Sequence, residues 1–518
     1  MIPDFSSSIT SLFWTIALLV LAKVLYNLVI KPYFALSYYK KQGVLVRYSP
    51  FYGNMTHWVG HIKKRGDFLA LWKDYGQLNP KPKAVALNFG PSIRLSIIDT
   101  ALIKEFIMNN DLHMRDPTVT RALSLLLGRA FSLSDGPMWK KQRKFFSAGF
   151  HFDFLESKVP MIIKTTEEFL ENFKKQDMNN IALKAEVQLL LGTIIGKSFI
   201  GEEFGKYTLN GKPIVPFIAG LVGRVGCLLT DKTYHLLGLR FVKLGVLKRF
   251  RDINRDTQEF KTFFRKIVEE KFIALQNADQ EQLQKKPNKC MVELFHLQRV
   301  AKPQDALSDE EIIDQFISFH SGGLESTSGV TTMMAYYSLT NPIYQQKLLE
   351  EVETYFQDPS QVTLEKLNQM DYLNAFMKEV LRMASPVISV MPRVAMQDHK
   401  IGDILVKKGT ILNVNFASNN FSNEYHINPD KFDPERWLKN SASLEKSKGD
   451  PYSFIPFGVG PRVCIGQNFA MIEVRIIFSL FLKKFKYQLT DPNYKLVFTQ
   501  TLAYEPETPI LFKITPRC

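Results

Sequence analysis

Only four cysteines occur in 518 residues, at positions 227, 290, 464 and 518, and no two stand close enough for a C-x-x-C pair. That scarcity excludes a disulfide-stapled scaffold, a zinc ribbon and a dithiol redox centre, and it fits a reducing compartment. Low-complexity sequence is missing between residues 60 and 518, so one large globular unit is expected rather than a string of modules. Zinc-finger spacings and RNP-type motifs are missing too. The formal charge of +15 therefore points to acidic partners or an anionic membrane surface, with no nucleic-acid partner expected.

Long apolar runs are scarce. Residues 9–30, ITSLFWTIALLVLAKVLYNLVI, form one of bilayer-crossing length with Lys23 as the sole charge. Asp4 precedes the run and bulky residues follow it, which disfavours a cleaved signal peptide. Lys31, Lys40, Lys41 and Arg47 lie just behind, so the positive-inside rule places the remaining chain in the cytosol. The expected organisation is a transmembrane anchor over 1–30, a linker over 31–55 and a catalytic domain over 56–518.

What is present centres on one cysteine. In Phe457-Gly458-Val459-Gly460-Pro461-Arg462-Val463-Cys464-Ile465-Gly466, Gly458 and Gly460 permit angles that side chains forbid, and Pro461 stiffens the turn. Such a loop can press against a flat ligand. Phe469, Ile472, Ile476 and Leu480 then recur at helical spacing, with Lys483 and Lys484 near the end. Cys464 thus sits at a helix N-terminus, where backbone N–H groups favour the metal-binding thiolate. A dinucleotide fingerprint fails because Val463 stands where the third glycine belongs.

This decapeptide resembles the haem-binding signature of the cytochrome P-450 superfamily at Phe457, Gly460, Arg462, Cys464 and Gly466. The resemblance implies that Cys464 is the axial thiolate of haem b, with Phe457 beside the sulfur, Gly466 completing the loop and Arg462 on a propionate. Further motifs extend it. Trp139 and Arg143, four apart on one helix face, are then expected on a propionate, as is Arg393 in Pro392-Arg393-Val394-Ala395. Ser308 and Glu311 make a capping box, and helical character persists to Asn341-Pro342, about 48 Å at 1.5 Å per residue. The middle of that helix resembles the family's oxygen-activation motif: Gly323 supplies the groove, Glu325 the acid, and Ser326 the alcohol where threonine is usual. Thr327, about 100° further round, is the second choice. Glu379 and Arg382 form an E-x-x-R pair that Arg436, in Pro434-Glu435-Arg436-Trp437, closes into a structural triad.

The implied fold is mainly α with a smaller β portion (α+β), the haem lying between the long central helix and the cysteine loop. Strands are expected at 84–98, within 387–416 and over 486–516, a helix at 99–109, and an irregular substrate-contacting loop from Asp116 to Ser134. Apolar runs at Ile214–Leu229 and Tyr234–Leu247 read either as a membrane-dipping roof or as an amphipathic core pair. The implied activity is insertion of one oxygen atom from O2 into a lipophilic small molecule, with electrons from NADPH through a flavoprotein reductase. Lys140, Lys141 and Arg143 offer that reductase a basic face. The expected setting is the endoplasmic reticulum membrane, single-pass, with a monomeric cytosolic catalytic unit. A reductase-independent isomerase or dehydratase of peroxides and a non-enzymatic haem sensor are the rival readings.

Overall fold

A computed structural model describes residues 5–439, 441, 450–500 and 502–517; Asp4 and Cys518 lie outside them. Helices take 61% of the residues and strands a smaller share, as the sequence leads one to expect. The chain divides into two compact units. The first comprises Met1–Asp116, Ser389–Asn423 and Asp450–Phe454, and the second Pro117–Ile388, Glu424–Gly449 and Ile455–Cys518.

The first unit is built on a six-stranded sheet. Its order is Leu45–Arg47, Ala84–Phe89, Ser92–Ile97, Ile411–Val414, Arg393–Ala395, His113–Arg115. The hairpin expected at 84–98 is present, with Ala84 opposite Ile97 and Phe89 opposite Ser92. Asp99 then caps the helix Thr100–Met108, accepting from the Leu102 N–H at 3.0 Å.

The N-terminal helix Phe5–Leu25 continues through a π turn at Tyr26–Ile30 into Lys31–Lys40. Ser11–Lys40 is long and apolar enough to cross a membrane, and its apolar window is unburied. The helix therefore runs ten residues into the segment expected as a linker. Two features let it. Leu36 and Tyr39 are buried in this unit, and the Tyr39 hydroxyl meets Thr410 Oγ1 at 2.7 Å. Pro32 cannot donate to the Leu28 carbonyl one turn back, and that carbonyl instead accepts the Phe51 N–H at 3.2 Å.

The second unit surrounds the long helix Asp309–Thr340. Ser308 and Glu311 form the expected capping box, and the helix runs unbroken through Gly322-Gly323. It packs on the helices Leu183–Phe199, Asp371–Ala384 and Gln467–Lys484. The last begins right behind Gly466 and buries Phe469, Ile472, Ile476 and Leu480, the positions its spacing marks as apolar. The C-terminal strands also form, Phe485–Leu489 antiparallel to Leu511–Pro516, with a separate hairpin of Phe498–Gln500 and Tyr504–Pro506.

Two segments depart from or refine the sequence reading. The stretch expected to be irregular up to Ser134 contains the helix Pro117–Leu127, because Pro117 sits at the first helical position and Ala122, Leu123 and Leu126 bury one face. Of the two apolar runs, Ile214–Gly226 is core, burying Ile214, Phe217, Ile218 and Leu221. Lys232–Leu244 is broken at Gly238 and leaves Leu236 and Leu244 exposed.

Candidate functional site

The cysteine loop closes on itself. The Cys464 N–H donates to the Phe457 carbonyl at 2.9 Å, the Gly458 N–H to Ile455 O at 2.8 Å, and the Val463 N–H to Gly460 O at 3.1 Å. Gly458 and Gly460 adopt φ of 72° and 74°, where a side chain would strain the backbone. Cys464 is exposed on one side, yet protein surrounds the rest closely enough that burial is the largest influence on its thiol and raises it. The N–H groups of Gly466 and Gln467 and the charge of Arg143 pull the other way, toward the thiolate.

Trp139, Arg143 and Arg462 converge on this loop. Trp139 and Arg143 share the helix Gly136–Ser147. Arg143 turns inward, donating to Val463 O at 3.0 Å, so it does not belong to the exposed basic face read from the sequence. Lys140, Lys141 and Lys144 make up that face. Arg462 lies with its guanidinium 3.8 Å from the Trp139 ring centroid and donates to Ser134 O and Asp135 Oδ1, both at 2.8 Å. Trp139 thus pairs with Arg462 rather than with Arg143.

The middle of the long helix is half open on one face. Ser318, Gly322, Ser326 and Gly329 form a stripe that is not buried along one face of the helix. A Cβ at Gly322 would meet no atom within 4 Å, whereas one at Gly323 would press on Ile195 at 2.8 Å, so Gly323 serves close helix packing. The Ser326 hydroxyl donates back to Gly322 O at 2.8 Å. Thr327 faces away from the stripe, buried, with no hydrogen-bond partner for Oγ1 among the described residues. Two residues of the same helix that the sequence reading missed, Asp314 and Gln315, hold the segment behind Pro117–Leu127: Asp314 accepts from the Arg129 N–H at 2.8 Å and Gln315 from the Phe131 N–H at 3.0 Å.

Glu325 points toward the helix Leu183–Phe199 rather than along the stripe. Lys184 donates to both Glu325 and Glu505, and Gln188 donates to Glu325 Oε2 at 3.0 Å. Burial pushes the Glu325 carboxyl above its usual range; Lys184 opposes that and Glu505 adds to it. Lys184, Gln188 and Glu505 were invisible in the sequence because no motif or period links them to Glu325.

Glu379, Arg382 and Arg436 come together as the triad expected from the sequence, all buried. Arg382 grips Glu379 twice, at 2.9 and 2.8 Å, and Arg436 Nε donates to it at 3.0 Å. Trp437 Nε1 and the Asp433 N–H complete the carboxylate, each at 2.8 Å. The arginines spend their other donors on backbone carbonyls, among them Pro429 O at 2.6 Å and Ile427 O at 2.9 Å. Arg393 lies in the first unit, buried, 5.1 Å from the Phe106 ring centroid.

Do these residues fit a haem? No group of three or more His, Cys, Asp or Glu able to hold a metal occurs among the described residues, so a metal taken by Cys464 must bring its other ligands, as a macrocycle does. A Cβ on Gly458 would also meet nothing within 4 Å, leaving the loop free for a flat neighbour. The donor set and the bare glycine backbone fit the group.

Comparison with known proteins agrees. The family model described as Cytochrome P450 matches residues 50–513. The chain is 25% identical to cytochrome P450 3A18 of Rattus norvegicus over 471 residues, 90% of this chain and 91% of that protein. It is 28% identical to cytochrome P450 3A28 of Bos taurus over 407 residues, 75% of each. A cytokinin hydroxylase of Arabidopsis thaliana is 24% identical over 466 residues, 89% of this chain and 83% of that protein.

Proposed function

The chain belongs to the cytochrome P450 family, haem-thiolate oxidoreductases of the monooxygenase type, and from that premise we propose that it hydroxylates or otherwise oxygenates a lipophilic small molecule with Cys464 as the axial ligand. One observation carries the residue assignment: Cys464 stands on a self-closed glycine loop at a helix start, facing two backbone N–H groups and Arg143. Bound there, the haem supplies the reduction of dioxygen and the transfer of one of its oxygen atoms. The chain supplies the rest. Gly466 and Gln467 N–H groups hold the sulfur's negative charge, while Arg143, Arg462 and Trp139 offer cationic and aromatic contacts for propionates. Phe457 shields the sulfur. Gly322 and Ser326 line the open face of the central helix, where Ser326 orients a proton donor, while Glu325, turned toward Lys184 and Gln188 on the neighbouring helix, holds the proton to be delivered.

The electron donor is an NADPH-dependent flavoprotein reductase that docks on Lys140, Lys141 and Lys144. Changing all three to Glu is expected to lower the reductase-supported rate about tenfold or more and to flatten its salt dependence, since rim charges act on encounter. An unchanged salt profile would remove that docking site. The N-terminal helix anchors a monomeric catalytic unit to the endoplasmic reticulum membrane, facing the cytosol.

The ligand assignment has a direct test. Reduced, CO-treated Cys464→Ser protein is expected to lose the thiolate-type Soret band that the wild type shows. A variant retaining that band would overturn the role of Cys464.

A further inference from the structure

We propose that His113 and His399 form a binding site for a divalent first-row transition metal ion, separate from the cysteine loop and independent of the oxygenation chemistry. Both residues belong to the first unit. His113 opens the edge strand His113–Arg115 of the six-stranded sheet, and His399 opens the hairpin of His399–Ile401 and Ile404–Val406. Their Nε2 atoms stand 2.9 Å apart, with the ring centroids 4.8 Å apart and the planes at 69°. The nitrogens are closer than the rings, so each ring turns its Nε2 toward the other.

Proton accounting sets this pair apart from an ordinary hydrogen bond. His399 Nδ1 lies 3.0 Å from the Gln397 carbonyl, which can only accept, so Nδ1 carries the proton and the neutral ring presents a lone pair at Nε2. For the two Nε2 atoms to bond, neutral His113 must donate from Nε2 and keep Nδ1 as a bare acceptor. That Nδ1 is buried without a hydrogen-bond partner among the described residues, while the Asn109 backbone favours a proton on this ring. Moving the His113 proton from Nε2 to Nδ1 leaves two lone pairs facing each other across 2.9 Å, an arrangement that a cation between them stabilises. An extra proton on His113 is resisted: burial, His399 and the Arg393 guanidinium push its pKa down to about 4. The ring therefore stays neutral near pH 7, and neutral imidazole is the form that binds metal.

The distance selects the metal. Two imidazole nitrogens about 2.0–2.1 Å from one ion and 90° apart are separated by about 2.8–3.0 Å, whereas a tetrahedral angle needs about 3.3–3.4 Å. The observed 2.9 Å is the edge of a square or octahedron, which suits Cu2+ and Ni2+. The outer contact that orients a metal-bound imidazole is in place as well, since His399 gives its other N–H to a backbone carbonyl. Phe106 packs on the His113 ring, 5.0 Å between centroids. Two side chains leave the remaining positions to water, which enters from the half-buried His399, because His113 is only 4% exposed. Nearby charge sets the strength. Arg393 opposes a cation beside His113, and Asp398, next to His399, is already paired with Lys407 at 2.7 Å, so the expected affinity is micromolar. Once bound, the ion ties the edge strand to the hairpin.

The test uses the haem-loaded full-length protein and its His399→Gln and His113→Gln variants, with Ni2+ as the probe. Calorimetric titration of the wild type is expected to show one Ni2+ per chain, and either substitution is expected to weaken it by at least about tenfold, since each removes one of two protein ligands. Absorption at the nickel edge is expected to report two imidazoles in the wild type. Ni2+ is also expected to raise the denaturant midpoint of the wild type and to leave that of His399→Gln unmoved, because only a folded site binds it. The half-buried His399→Gln keeps the test open should the buried His113→Gln fail to fold. A wild type that takes up no Ni2+ would overturn the site. So would equal affinity in His399→Gln, which would place the ion on other histidines.

Discussion

Two carboxylates of the same helical unit, Glu379 and Glu325, show how surroundings turn one side chain to different ends. Glu379 is fully buried and faces two guanidiniums, an indole N–H and a backbone N–H. Burial would raise its carboxyl, but Arg382 and Arg436 outweigh that and hold it below the usual range. Glu325 is also withdrawn from water, yet it shares a single ammonium with a second carboxylate, and its carboxyl is raised. A group surrounded by excess opposite charge is locked; one short of it is left able to exchange a proton.

The largest effect that can break this comparison lies on the locked side. Glu379→Gln leaves two buried guanidiniums uncompensated, and removing one partner of such a network costs about 3–5 kcal/mol. Denaturant midpoints are expected to fall accordingly, and haem retention with them. Glu325→Gln leaves Lys184 paired with Glu505, so its midpoint is expected to stay within about 1 kcal/mol of wild type. Equal losses at the two sites would erase the distinction.

A smaller effect, opposite in sign at the two sites, comes with pH. The folded pKa of Glu379 is lowered, so its stabilisation is present above the unfolded value near 4.5 and is lost as pH falls through the folded value. Glu325 is raised, so its unfavourable contribution is absent below that unfolded value and grows as pH rises towards its folded value. Stability measured from neutral to acid pH is therefore expected to flatten in Glu379→Gln, whereas Glu325→Gln removes a cost present at neutral pH. A Glu379→Gln protein with the wild-type acid slope would contradict the lock.

How legible each side is in the sequence follows from the same contrast. Glu379 and Arg382 are three apart on one helix, and the capping box at Ser308 and Glu311 and the cysteine loop are equally local, so spacing and turn chemistry reveal them. The partners of Glu325 come from another helix and a C-terminal hairpin, and no short-range pattern announces a contact between segments so far apart. The helix inside the stretch Asp116 to Ser134 escapes a reading of that stretch as irregular for a local reason: proline punctuates loops and starts helices alike, and the apolar spacing of Ala122 and Leu126 decides between them. Arg143 shows the limit of a one-residue reading, since a charge on a surface helix can turn inward when a carbonyl such as Val463 O awaits it.

The smallest effect tests the alcohol beside the open acid. Ser326 is half-buried and bonds to Gly322 O at 2.8 Å, so its hydroxyl already has the contact that threonine makes in a helix. Ser326→Thr adds a methyl that narrows the χ1 choice without removing the hydroxyl. If rotamer freedom at this position lets protons arrive out of step, the variant should waste fewer electrons, and peroxide released per NADPH should fall by about twofold. The opposite result is as informative. A ratio that rises would mean that the methyl displaces the proton donor, and that the looser serine suits this chain.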